Sequence, residues 1–132
     1  MTSTVTSLGH AGLDIRLGAA RVVCDPWLSP RGAYLAGWHP FPANDHLAAA
    51  DLHDAPALFI SSARPDHLDA ETLAAFPKTV RVIVAKLASP ALAARLAELG
   101  FTDVRELADG EVLELGDGAR LSLIPSAIKH QP

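Results

Sequence analysis

An adjacent carboxylate and imidazole, Asp66 and His67, sit in the stretch LFISSARPDHLDAETL, residues Leu58 to Leu73. An apolar run (Leu58, Phe59, Ile60) precedes them, then a small and polar turn from Ser61 to Pro65. A buried strand ending in such a pair aims two metal-binding side chains from a rigid base. The same pair also reads as a turn followed by a helix-capping network, and residue types alone leave both readings open. Four other histidines precede this stretch and one follows it: His10, His39, His46, His53 and His130. His10 lies in a glycine-flanked turn, where a histidine supports a turn or a neighbouring ligand more readily than it binds metal itself. His39, in Trp-His-Pro-Phe-Pro, is placed either to touch a substrate or to face solvent. His46 and His53 read as surface positions. Cys24 lies within an apolar strand and reads as core. Arg64 is placed to pair with Asp66 or Asp69, or to hold an anion.

The elements that position these residues follow from periodicity. Val5 to Leu8 reads as a short strand and His10-Ala11-Gly12 as a turn. Leu13, Ile15 and Leu17 alternate with Asp14 and Arg16, the period of a half-buried strand. Arg21 to Cys24 is more uniformly apolar and ends at Asp25-Pro26-Trp27, where proline stops the ladder. From Leu28 to Pro56 the periodicity disappears among prolines, glycines and the aromatics Tyr34, Trp38 and Phe41. A loop of that length in a compact domain is a functional segment or an irregular cover. Asn44 to Asp51 reads as a short helix capped by Asn44 or Asp45. Then come a buried strand, Ala57 to Ser61, and a helix from Ala70 to Phe76 with Asp69 as N-cap. Val80 to Ala85 reads as a strand covered on both faces. Ser89-Pro90 opens a helix with Leu92, Leu96 and Leu99 on one face, which Gly100 ends. Strands at Val104 to Leu107, Glu111 to Leu115 and Ala119 to Ile124 are joined by Asp109-Gly110 and Gly116-Asp117-Gly118 turns. Helices so placed cover one face of a mixed sheet, an α/β (α+β) class. The last residues stop just past a strand, as expected of an incomplete domain.

Composition narrows the functional classes. The 132 residues fit one domain, 1–132, and 49% hydrophobic with 20% charged residues describe a globular chain. Eleven basic against fifteen acidic residues give a net charge of −4. No Lys/Arg run supplies a nucleic-acid footprint. No apolar run reaches the ~18 residues of a membrane span. The single cysteine excludes an internal disulfide and fits a reducing compartment. The opening residues lack the features of a signal peptide, so the expected location is cytoplasmic.

Three segments carry a family resemblance: LGHAGLDIRLGAARVVCDPWL, SSARPDHLDAETL and LSLIPS. In order and spacing they resemble the first half of a metallo-β-lactamase-fold protein, in the lactonase-like branch related to L-ascorbate-6-phosphate lactonase. The resemblance implies a four-layer αββα sandwich with metals between the edges of its two sheets. The family's central segment reads Ser-His-x-His-x-Asp-His, whose first two histidines hold one metal while the Asp-His pair holds or approaches a second. Asp66 and His67 match the second pair. Ser62 and Arg64 stand where the first two histidines would be, and neither a neutral hydroxyl nor a guanidinium replaces an imidazole as a ligand. A dinuclear centre is therefore not expected.

Two functions follow from the resemblance. One is a metal-dependent hydrolase acting on a small lactone, ester or phosphate. Its ligands would be Asp66 and His67 around one divalent metal (zinc, manganese or iron), with Asp66 also orienting water catalytically. Arg64 and His39 would contact substrate, and Asp25 and His10 would orient the ligands. The other is a non-catalytic relative, degenerate or truncated, without metal, which binds an anion or a partner chain. Half a sandwich leaves a sheet face to be covered, by a second copy or by a partner.

Overall fold

The computed structural model describes residues 2–30, 32–86 and 90–124. Three strands open the chain: β1 (Ser3–Gly9), β2 (Gly12–Leu17) and β3 (Ala20–Cys24), paired antiparallel as a meander. Strand β4 (Ala57–Phe59) then pairs parallel to β3, β5 (Arg81–Ala85) to β4, and β6 (Asp103–Leu107) to β5. The result is a six-stranded mixed sheet in sequential order. Helix α1 (Ala70–Leu73) connects β4 to β5 and α2 (Ala91–Glu98) connects β5 to β6. Strands β7 (Val112–Gly116) and β8 (Ala119–Ser122) form a separate antiparallel hairpin.

Period-two alternation divides the strand residues between two cores. Leu58 on β4, Ile60 just beyond it, and Val82 and Val84 on β5 point to the helical face. They pack there with Leu73 and Phe76 and with Leu92 and Leu96 of α2. Ala57 and Ile83 point the other way, join Val22 and Leu107, and meet Leu113, Leu115, Leu121 and Leu123 of the hairpin. The layers are therefore helix, sheet and a partial second sheet.

Helix α2 follows its sequence pattern: Leu92 and Leu96 are buried, and Gly100 ends it at φ +96°. There the amide of Phe101 bonds the carbonyl of Leu96. The expected N-cap, Ser89, lies outside the described residues, as do Ser126 and His130 of the chain end.

Two expectations fail. Asn44 caps no helix. Its buried amide donates to the carbonyls of Leu8 (2.8 Å) and Trp27 (2.7 Å), and the segment holds only a 3₁₀ turn at Ala49–Asp51. Helix α1 is a single turn rather than a helix to Phe76. Asp69 stands at its N-cap position, but its carboxylate accepts the Ser29 amide (3.1 Å) and the Thr72 hydroxyl (2.5 Å) instead of capping the helix. No helix among the described residues is long and apolar enough to cross a membrane.

Candidate metal centre

The parallel strands β3 and β4 end side by side, and the chain beyond them carries the polar groups. The amide of Asp25 bonds the carbonyl of Phe59 at 2.9 Å, which extends the pairing one step past β3. Asp25 takes a left-handed conformation (φ +41°) and is buried. One of its oxygens accepts the Ser61 amide at 2.8 Å. The other accepts the Ser61 hydroxyl at 2.5 Å and lies 2.9 Å from Nδ1 of His67. A buried carboxylate with this many donors is fixed in place, and it fixes the ring of His67 in turn.

His67 thereby keeps Nε2 for other partners, and that atom lies 3.4 Å from Oδ2 of Asp66. The same oxygen lies 2.8 Å from Nε2 of His10. His10 reaches it from the tight turn between β1 and β2, where its φ is +53° and its amide bonds the carbonyl of Phe41. Gly9 beside it (φ +93°) suits a left-handed position that L side chains rarely adopt, and a Cβ there would press at 3.1 Å on both the Asn44 amide and the Pro42 carbonyl. Edge-on packing against buried Trp27, at 5.2 Å between ring centroids, sets the plane of the His10 ring. His10, Asp66 and His67 thus converge, each with one donor atom, all within 4.8 Å of one another.

The other oxygen of Asp66 accepts the hydroxyl of Tyr34 at 3.0 Å. Burial opposes the negative charge on Asp66. Hydrogen bonds from His10 and Tyr34 and the proximity of His67 outweigh it and hold the carboxyl below its ordinary 3.8. Tyr34 shifts the opposite way: loss of water and the adjacent Asp66 carboxylate push its hydroxyl up, so it remains a donor.

Of the residues singled out by sequence, Asp66, His67, Asp25 and His10 come together here. Arg64 does not pair with Asp66 or Asp69. Its exposed guanidinium makes no hydrogen bond or ion pair among the described residues, and its carbonyl holds the turn by accepting the amides of His67 and Leu68. His39 is not one of the trio and lines a cavity of about 370 Å³ with Leu28, Asn44 and Leu47. Cys24 is half-buried, and burial together with Asp25 pushes its thiol up to about 11, so it is inert. Sequence reasoning missed Tyr34. Its only signal was its place among the aromatics of the loop after Asp25-Pro-Trp.

The architecture, a mixed sheet with helices on one face and the start of a second sheet on the other, is part of a metallo-β-lactamase-like fold. A structure from Veillonella parvula described as a possible metal-dependent hydrolase superposes with a TM-score of 0.70 at 24% identity. It covers 92% of this chain and 47% of its own. A diiron β-hydroxylase from Streptomyces venezuelae superposes at 0.67 with 30% identity, over 93% of this chain and 24% of its own. No protein-family model matches. In sequence, the chain is 41% identical over 106 residues to a Mycobacterium tuberculosis protein named as a Rieske 2Fe-2S iron-sulfur protein. That match takes in 80% of this chain. The chain is 39% identical over 74 residues, 52% of its length, to the mouse cytidine monophosphate-N-acetylneuraminic acid hydroxylase. It spans about a fifth of the first of these relatives (20%) and 12% of the second.

Proposed function

We propose that this chain is the metal-holding part of a metal-dependent hydrolase-like protein and that His10, Asp66 and His67 hold one divalent ion. The observation that carries the reading is the convergence of their three donor atoms, with Nδ1 of His67 already committed to Asp25. Ligands at about 2.1 Å from one ion stand about 3.0 to 3.4 Å apart in octahedral or tetrahedral arrangements. The separation from Asp66 to His67, 3.4 Å, falls in that range, and the 2.8 Å hydrogen bond from Asp66 to His10 needs only a small opening to reach it. Two imidazoles and a carboxylate suit zinc, manganese or iron. Such an ion supplies Lewis acidity, polarising a carbonyl or phosphoryl oxygen and acidifying water.

The chain's own residues supply the rest. Asp25 holds the His67 tautomer through Nδ1, and Asp66 would help orient a water entering beside it. Arg64, exposed near Tyr34, offers its charge to a carboxylate or phosphate of a small lactone, ester or phosphate substrate. Metal analysis tests the proposal: purified protein dialysed against zinc, manganese or ferrous iron should retain about one ion per chain. Asp66→Ala and His67→Ala should each abolish that retention. Wild-type protein that retains none sinks the reading.

One observation favours a second reading. Two histidines and one carboxylate form the donor set of non-haem ferrous oxygenases, and the two named enzymes among the similar proteins above are hydroxylases. On that reading the ion is iron, and electrons come from an iron-sulfur cluster carried elsewhere. Selective retention of ferrous iron over zinc, with an iron–nitrosyl electron-spin signal on adding nitric oxide, would separate it from the hydrolytic one.

A further inference from the structure

We infer that Tyr34 is a positioning residue of this centre, holding Oδ1 of Asp66 so that the carboxylate presents Oδ2 alone to a metal. The inference rests on the metal reading above and adds a residue that the reading does not need.

The geometry divides the carboxylate cleanly. Oδ1 takes the Tyr34 hydroxyl at 3.0 Å, while Oδ2 faces both His10 and His67. A carboxylate whose second oxygen is engaged binds through one oxygen and leaves a coordination position for substrate or water. The loop that delivers Tyr34 is built for the purpose. Tyr34, Leu35 and Ala36 are three consecutive non-glycine residues in the left-handed region, with φ of 54°, 56° and 65°. L-residues adopt that conformation reluctantly, and a run of three persists only where the surroundings impose it. Two backbone bonds between Ala33 and Trp38, 2.8 and 3.1 Å, close the loop. The Tyr34 ring packs edge-on against Trp38 at 5.1 Å, and Trp38 reaches the His10 ring at 6.4 Å. The tip, Leu35, is fully exposed, while Ala33 at the base of the loop is buried. The left-handed run brings one phenol onto one carboxylate oxygen.

Tyr34 is the only tyrosine in the chain, which gives the inference a direct readout. Protein grown with 3-fluorotyrosine carries one ¹⁹F resonance. In metal-free protein, Asp66→Asn should move that resonance, and an unmoved signal overturns the positioning role whatever the metal does. In a second arm, cobalt(II) is titrated into wild-type and Tyr34→Phe protein. The variant should bind about 10- to 100-fold more weakly, with a visible absorption band altered in position or intensity. Equal affinity and an identical band overturn the inference. A Leu35→Gly control, which relaxes the loop and keeps the hydroxyl, should leave the band as in wild type. Wild-type protein that takes up no cobalt overturns the metal reading instead, and the ¹⁹F arm still decides whether Tyr34 fixes Asp66.

Discussion

Nδ1 of His67 lies 2.9 Å from Oδ2 of Asp25, a pair separated by 42 positions in the chain and joined by the parallel pairing of β3 with β4. The same oxygen also takes the Ser61 hydroxyl, so the carboxylate orients the imidazole from behind while its Nε2 faces Asp66. Asp25→Asn keeps the shape but offers an amide in place of one acceptor. Zinc affinity should fall about 10- to 100-fold, measured by competition with a chromophoric chelator. Unchanged affinity would mean that His67 is not a ligand or needs no such support.

Asn44 ties the surroundings of His10 in place. Its amide holds the carbonyls of Leu8, at the end of β1, and Trp27, whose ring supports His10. Asn44→Ala removes two bonds and strands two carbonyls, a loss of about 2 to 4 kcal/mol. Urea unfolding reads that loss. If the His10 turn depends on this tie, metal affinity falls in the same variant.

How much of this was legible follows from the range of each interaction. The α2 face was readable because it is set by neighbours three and four residues away. The alternation read along β2 held only in part, since Asp14 is buried there and Leu13, Ile15 and Leu17 are half-buried. Leu92 and Leu96 fall on the expected face, and Leu58 and Ile60 are buried as the apolar run predicts. Asn44 was misread because local preference makes an asparagine before an apolar run an N-cap, and its true partners lie 36 and 17 positions back. Helix α1 was read too long for a similar reason: Asp69 and Thr72 turn toward the loop at Leu28 and Ser29. Asp66 and His67 announced themselves by adjacency. His10 lies 56 positions from Asp66, so no spacing rule reveals that it meets the same oxygen. Tyr34 depends on three left-handed residues, none of them glycine or asparagine, and residue type gives no hint of such a turn.

Asp14 gives a pH-dependent prediction away from the site. Arg16 and Arg21 face each other across β2 and β3, a like-charge pair that Asp14 compensates. Burial opposes the charge of Asp14, but hydrogen bonds and attraction from Arg21, with help from Arg16, hold its carboxyl below 3.8. A group depressed in the folded state adds stability that is complete above its unfolded value and lost as pH falls through the folded one. Asp14→Asn should therefore cost about 2 to 3 kcal/mol at pH 7, and the gap to wild type should narrow below about pH 4. Urea midpoints at pH 7, 5 and 3.5 test it, and a gap that is flat across that range contradicts it.

The last prediction concerns Ser62 and Arg64, which stand where the resemblance places two histidines. Their backbone serves the turn whatever the side chains are, because the carbonyl of residue 64 accepts the amides of His67 and Leu68 at 2.9 and 2.8 Å. The side chains contribute little. Ser62 accepts the Arg64 amide at 3.1 Å, and the guanidinium is exposed without a hydrogen bond or ion pair among the described residues. Ser62→His with Arg64→His should therefore shift stability by no more than about 1 kcal/mol. It also replaces a fixed cation with a neutral donor and adds a second imidazole beside the trio. If both positions face the same pocket, the metal retained after dialysis should rise above one ion per chain by elemental analysis. Retention that stays at the wild-type value would show that the turn aims residues 62 and 64 away from His10, Asp66 and His67. The likeness to the two-metal motif would then be one of sequence only.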